Sequence, residues 1–330
     1  MVTFLIILIL NIFLYIFNEK IAQVLNLYDN PDTSRKLHKT KVPLTGGIII
    51  LFNVILIIFF QLFYKSFSGE LSIYKSRFEL IIFFFSVLIF FLIGFIDDKY
   101  NVSANKRFLF IAIILLIIIL FSENLVINKI EFSFSKSNFS LPYEISIFWT
   151  ILCFLLFINA FNMFDGINYQ AGFYSIYLSL FFLINNFFIV FFLFLIIGLV
   201  NFILLNHNNK SFLGDSGSYL LAFIFGYFFI KFYNQTGNIK TDQIVLFMII
   251  PGIDLIRLFI TRIIKGNNPF TADRNHLHHI ISKNYTLINT NLIIQSLIIL
   301  PSFLGYYFGF SFIFLGVQMA IYFYFVLFKR

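Results

Sequence analysis

An all-α, polytopic membrane fold is what this chain predicts, and three observations predict it. Apolar residues make up 60% of the 330 positions and charged residues only 12%. The apolar positions fall in repeated runs long enough, at ~1.5 Å per residue, to cross ~30 Å of hydrocarbon. Short stretches rich in Asp, His, Lys and Arg separate the runs, as expected when a charge at the bilayer centre costs roughly 2.5 to 3.5 kcal/mol.

Taken in order, the runs give about eleven spans: 3–17, 46–64, 79–96, 108–121, 146–163, 171–184, 187–205, 218–230, 243–260, 286–304 and 308–327. The first run has no basic cluster before it and no small-residue cleavage site, so it is expected to be a retained span and not a removable signal. Between the fourth and fifth runs, Ile130, Phe132 and Phe134 alternate with Glu131, Ser133 and Ser135. A period of two predicts a small external β-hairpin within 122–144. The lone Cys153 lies inside a run, which excludes a disulfide framework or a cysteine metal site within one chain. No tandem repeat, soluble domain or linker interrupts the pattern, so residues 1–330 read as a single membrane-embedded domain. The abundance of Phe, Ile, Asn and Lys reflects coding bias and carries no functional weight.

Assigning alternate loops to opposite sides places 16 Lys and Arg in one set and seven in the other. The positive-inside rule makes the richer set cytoplasmic, with the N-terminus outside and Lys329-Arg330 inside. All five histidines then face the cytoplasm, as do Asp97, Asp98, Asp165, Asp215, Asp254 and Asp273, whereas Asp242 lies outside. Solubility explains carboxylates at span ends. It does not explain their gathering on one face.

Five polar clusters lie at those cytoplasmic ends. The first, from Asp29 to Gly47, carries Arg35, Lys36, His38, Lys39 and Lys41 ahead of the pair Gly46-Gly47. Basic groups beside glycines suit an anionic substrate, and equally a stretch drawn to anionic lipid. The second holds adjacent Asp97 and Asp98, followed by Lys106 and Arg107. Neighbouring carboxylates repel unless a cation or basic side chains sit close, so the pair reads as coordination, as a general base or as a solvated helix end. The third spaces Asn159, Asn162 and Asp165 by three residues on one helical face, lining either a polar cavity or a helix–helix contact. The fourth, Ser211-Phe212-Leu213-Gly214-Asp215-Ser216-Gly217-Ser218, makes Asp215 a metal ligand or a capped helix start. The fifth runs from Asp254 and Arg257 through Arg262, Asp273 and Arg274 to His276, His278 and His279. A helix there would put His276 and His279 on one face with His278 elsewhere, and the surrounding Arg and Lys favour a phosphate over a soft metal.

In their order, the stretches RKLHKTKVPLTGG, GFIDDKY, NAFNMFDGIN, FLGDSGS and GNNPFTADRNHLHH resemble the polyprenyl-phosphate N-acetylhexosamine-1-phosphate transferases, glycosyltransferase family 4, over about residues 29–283. The resemblance implies transfer of a sugar 1-phosphate from a UDP-N-acetylhexosamine, such as UDP-GlcNAc, to undecaprenyl phosphate. UMP is released, and the product initiates a surface polysaccharide or cell-wall polymer. It implies Mg²⁺, with Mn²⁺ as its substitute, held by Asp215. Catalytic roles fall to Asp97, Asp98, Asp165, His276, His278 and His279. Substrate-binding roles fall to Arg35, His38, Lys41, Gly46, Gly47, Asn162, Asn168, Asn206, Phe212 and Arg274.

A bacterial inner membrane setting with a cytoplasmic active site, no nucleic-acid partner and room for a homodimer complete the expectation. Two departures stand out. Asn168 replaces the second aspartate of the family's DGxDGLA, and Leu44-Thr45 stands where the muramoyl-pentapeptide branch reads PTMGG, which favours the GlcNAc branch. The alternatives are that muramoyl-pentapeptide transferase and a transporter or flippase for an anionic solute, although transporters place their polar groups near the midplane.

Overall fold

The computed structural model describes residues 2–31, 40–63, 76–135, 137–269 and 273–328. The chain divides into two compact units, one of residues 1–111 with 171–225 and the other of 112–170 with 226–330.

The first unit opens with α1 (Val2–Ile16) and α2 (Asn18–Leu25), bent by 65° at Phe17. Strands β1 (Tyr28–Asp29) and β2 (Val42–Pro43) then pair antiparallel, a contact with no signal in the residue pattern. Helices α3 (Gly46–Phe63) and α4 (Arg77–Tyr100) follow, then the start of α5 (Ala104–Phe121). Helix α4 begins on Ser76, whose hydroxyl accepts the Glu79 amide. It ends on Asn101, whose left-handed backbone (φ 50°) returns its N–H to the Asp97 carbonyl. Most of α7 (Gln170–Ile184), α8 (Ile189–His207) and the first half of α9 (Gly214–Thr236) complete the unit. Aromatic rings fill its core, Phe90 stacking on Phe223 at 4.5 Å and Phe182 on Phe192 at 4.7 Å.

A buried amide network crosses that apolar core. Asn11 on α1 donates to Asn53 on α3 (2.7 Å) and receives Asn201 of α8 on both its carbonyl (2.9 Å) and its side-chain oxygen (3.0 Å). Amides are tolerated inside a span when they satisfy one another.

The second unit holds α6 (Tyr143–Phe164), the rest of α9, α10 (Thr241–Ile264), the short α11 (Leu277–Ser282), α12 (Leu287–Phe308) and α13 (Ser311–Phe328). Its hairpin pairs β3 (Lys129–Glu131) with β4 (Asn138–Ser140), which bears out a small hairpin within 122–144, although the strand ends at Glu131 and residues 132–135 of the alternating stretch form the turn. Asp242 accepts the Ser133 amide at 2.8 Å, Lys240 pairs with Glu131 at 2.5 Å, and the Tyr233 hydroxyl bridges Glu131 and Lys129.

The all-α membrane class holds, but the count of eleven spans does not. Among the described residues eight helices are long and apolar enough to cross a membrane, and nine if the bent α1–α2 pair is one span. Helices 46–62 and 170–184 fall short. A helix of 15 residues reaches only ~22 Å against ~30 Å of hydrocarbon. Hydropathy registers an apolar run whether it crosses a bilayer or packs against other helices, which is why the two were read as spans.

The amide network yields a stability prediction. Asn11→Leu removes the donor to Asn53 Oδ1 and the side-chain acceptor shared by Asn53 and Asn201, leaving those amides only the Ile49 and residue-11 backbone carbonyls, so unfolding in a sodium dodecyl sulfate titration should be easier by about 1–2 kcal/mol.

Candidate active site

In the first unit, backbone pairing brings the Pro43–Gly47 stretch against the loop before α9. Phe212 N–H donates to the Pro43 carbonyl (2.8 Å), while Gly46 and Gly47 N–H donate to Phe212 and Leu213 carbonyls (3.0 Å each). The Thr45 hydroxyl lies 2.8 Å from Ser211 Oγ and bonds the Asn18 side chain, whose amide holds the Lys210 carbonyl (2.7 Å). Asn206, buried, holds the Ser211 carbonyl (2.9 Å). The two glycines therefore permit close approach by the chain's own loop, since a Cβ on Gly47 would lie 2.5 Å from Gly217 N. Phe212 is half-buried beside them, and Lys41 is exposed next to β2. Arg35 and His38 lie outside the described residues.

Asp215 sits in the first turn of α9, but the acceptor for that turn comes from elsewhere in the sequence. Asp98 Oδ1 accepts the Asp215 amide (2.7 Å) and Asp98 Oδ2 the Ser216 amide (3.0 Å). A carboxylate is well placed there, where free N–H groups and the helix dipole favour negative charge. Helices α4 and α9 meet this closely because residue 94 is glycine: a Cβ would lie 2.2 Å from the Asp215 carbonyl oxygen.

Asp97 is 3% exposed, accepts the Val102 amide (2.8 Å) and pairs with Arg107, whose same nitrogen reaches Asp215 Oδ2 at 3.4 Å. Three carboxylates thus share one network with one guanidinium, and repulsion between neighbouring acids is offset by Arg107. Arg107 was the basic group that the Asp97-Asp98 pair required, and its position ten residues on was the signal available in the sequence. Asp215 is the accessible member, its side chain 32% exposed. No group of three or more His, Cys, Asp or Glu side chains close enough to hold a metal occurs among the described residues. Mg²⁺ typically takes one or two protein carboxylates and completes its shell with water and phosphate oxygens, so an accessible Asp215 beside committed neighbours fits it.

In the second unit, α6 ends at Phe164 and Asp165 closes it, its N–H returning to the Phe161 carbonyl (3.1 Å). His278 packs over the next residue, so that a Cβ on Gly166 would lie 2.1 Å from His278 Nε2. That nitrogen is buried with no hydrogen-bond partner among the described residues. Asn159 bonds its own helix at Leu155 (2.7 Å). Asn162 and Asn168 are half-buried, the Asn168 carbonyl accepting from Asn291 (3.0 Å), and Arg274 is exposed.

The expected histidine arrangement is corrected. His276 lies before α11 in extended backbone (φ −63°, ψ 153°), so it shares no helical face with His279. Its ring instead stacks on His278 at 5.3 Å, nearly parallel, and His279 lies 4.3 Å from His278. All three gather because His276 Nδ1 is held 3.0 Å from buried Asp254, which also takes Arg257 and, from α13, Tyr322 (2.8 Å each). Tyr322 was invisible in sequence, lying in an apolar run 68 residues away.

Burial, with help from the neighbouring rings and their charge, holds His278 well below the usual histidine value. Burial, then His276 and Arg274, brings His279 down to about 4.

Residues 80–233 match the family model described as glycosyl transferase family 4, a segment that contains Asp97, Asp98, Arg107, Asp165 and Asp215 but not His276, His278 or His279. Undecaprenyl-phosphate alpha-N-acetylglucosaminyl 1-phosphate transferase of Escherichia coli O157:H7 is 28% identical over 280 residues, covering 81% of this chain and 72% of that protein. The protein of the same name from Thermotoga maritima is 27% identical over 307 residues, covering 91% of this chain and 88% of its own length.

The histidine cluster sets a pH dependence. Below about pH 6.5 an unfolded histidine takes up a proton that the fold resists, so stability is full above that value and is lost as pH falls toward about 4. Unfolding followed from pH 7.5 to pH 5 (a range of roughly two units around the ordinary histidine value) should show this decline, and His279→Gln should flatten it.

Proposed function

We propose that this chain, whose residues 80–233 are a glycosyl transferase family 4 segment, is a sugar-1-phosphate transferase that uses undecaprenyl phosphate as acceptor and UDP-GlcNAc or a close relative as donor. The observation that carries the reading is the convergence of Asp97, Asp98 and Asp215 on the first turn of α9 with Arg107 among them. Exchange of one phosphoanhydride for another needs little covalent help from a protein. It needs the reactants positioned and the charge neutralised.

Asp215 is the residue that would hold Mg²⁺, which when bound neutralises charge developing on the departing UMP. Asp98 fixes Asp215 by its two bonds to the amides of the same turn. Since Asp98 is committed there, Asp97 is the carboxylate able to exchange its Arg107 contact for the proton of the lipid phosphate. The freed Arg107 then offers charge-assisted bonds to phosphate oxygens. In the second unit the imidazoles of His276, His278 and His279, with Arg274, are suited to phosphate oxygens, and Asn168 to an amide-like contact with uracil.

The protein is a multi-pass membrane protein. Its acceptor is an isoprenoid, and the second unit contains an apolar cavity of about 510 Å³ lined by Trp149, Cys153, Ala160, Gly226, Gly252 and Ile256 that suits such a chain. The bacterial inner membrane, an outer N-terminus, a cytoplasmic active site and a product that begins a surface polysaccharide belong to the same proposal.

Purified protein should release UMP from UDP-GlcNAc only when undecaprenyl phosphate and Mg²⁺ are both supplied, and Asp215→Asn should lower that turnover by roughly 100-fold or more without unfolding the protein. Silence toward every UDP sugar tested would reject the transferase. Gly252→Phe projects into open space and should raise KM for undecaprenyl phosphate about 10-fold while leaving KM for the UDP sugar unchanged.

A further inference from the structure

Resting on the transferase reading, we infer that Asp254, Arg257 and Tyr322 are positioning residues that fix one tautomer of His276 and leave its Nε2 as the ring nitrogen that engages substrate. Asp254 is only 8% exposed, and donors surround its carboxylate. Oδ2 faces His276 Nδ1 at 3.0 Å, and Oδ1 accepts from Arg257 Nη2 and the Tyr322 hydroxyl at 2.8 Å each. The Leu277 amide lies 3.3 Å from both oxygens. Arg257 also donates through Nε to the Tyr322 oxygen (2.6 Å) and through Nη2 to the Asn275 carbonyl (2.6 Å).

An ionised carboxylate has no hydrogen to donate, so the His276 nitrogen facing it carries the N–H. Nε2 is therefore the nitrogen left for another partner: in the neutral ring it accepts from a substrate O–H or N–H, and it donates to a phosphate oxygen only when the ring carries a second proton.

Stability alone is a poor account of this assembly. A buried ion pair gains little over an apolar packing of equal volume, because desolvation offsets the attraction. Arg257 by itself would satisfy the charge of Asp254. The further bonds to His276 and Tyr322 add direction. They fix a ring that in turn stacks on His278, whose buried Nε2 has no partner among the described residues. Three segments distant in sequence, α10, the turn before α11 and α13, are joined at one carboxylate. Asp254 touches no reacting atom in this account and acts through His276.

The test compares Asp254→Asn and Tyr322→Phe, each alone and combined with His276→Gln, by UMP release from UDP-GlcNAc with undecaprenyl phosphate and Mg²⁺. Asp254→Asn should lower kcat roughly 10- to 100-fold with KM for the UDP sugar nearly unchanged, and Tyr322→Phe roughly 3- to 10-fold. Neither should reduce the residual turnover of His276→Gln any further, because a residue that acts only through His276 has nothing left to position. Near wild-type kcat in Asp254→Asn, or losses that multiply on the His276→Gln background, would overturn the inference. If Asp254→Asn does not accumulate as folded protein, Tyr322→Phe decides by the same comparison, since it removes one hydroxyl. A wild-type protein inert toward all UDP sugars would reject the transferase reading. Histidine nitrogen NMR then still decides this one, His276 showing the Nδ1–H form in the wild type and losing it in Asp254→Asn, and a wild-type ring without that form would overturn it.

Discussion

The pair of bonds from Asp98 to the amides of Asp215 and Ser216 is the constraint on which the first unit's polar site depends. It ties the end of α4 to the start of α9 and satisfies N–H groups that an apolar setting would otherwise leave unpaired. It also brings three acids together. Placing a third carboxylate near two others is unfavourable by itself, and the helix terminus and Arg107 are what make it tolerable. The same bonds hold Asp215 in a fixed first turn with its carboxylate still accessible. One local solution to an electrostatic problem thus leaves an oxygen ligand in reach of a cation.

The second unit meets a related problem differently. Asp254 and Arg257 lie on a helix that qualifies as a membrane span, where lone charges are expensive. They are paired with each other and then with Tyr322 and His276, so both oxygens of the Asp254 carboxylate face donors. The hairpin end of the unit uses neutral and charged groups together, Asp242, Lys240 and Tyr233 tying down the strands. Where polar side chains lie within an apolar helix, as Asn11, Asn53 and Asn201 or Asp254 and Arg257 do, they bond one another, as a bilayer requires.

Much of this was legible in the residues. Runs of apolar side chains named the class, the polar segment between the fourth and fifth runs held the hairpin, and two of the separated motifs supplied the acids that meet at Arg107. Helices 46–62 and 170–184 were read as spans but are not confirmed as such among the described residues, because hydropathy does not measure how far an apolar helix extends. His276 alone was misread as helical, because a helix starting one residue later looks the same in sequence. The pairing of β1 with β2 rests on backbone bonds that two-residue strands do not advertise.

By itself the sequence determined what kind of solvent this chain lives in and which side chains are available for chemistry, because both follow from composition and spacing along one dimension. Tertiary structure decided which of those side chains share a partner. Asp98 and Asp215 are 117 residues apart, and Asp254 and Tyr322 are 68 apart. No periodicity links such positions. Only packing sets them face to face, through a glycine at 94 that admits a neighbouring backbone and a carboxylate that must find donors once water is gone.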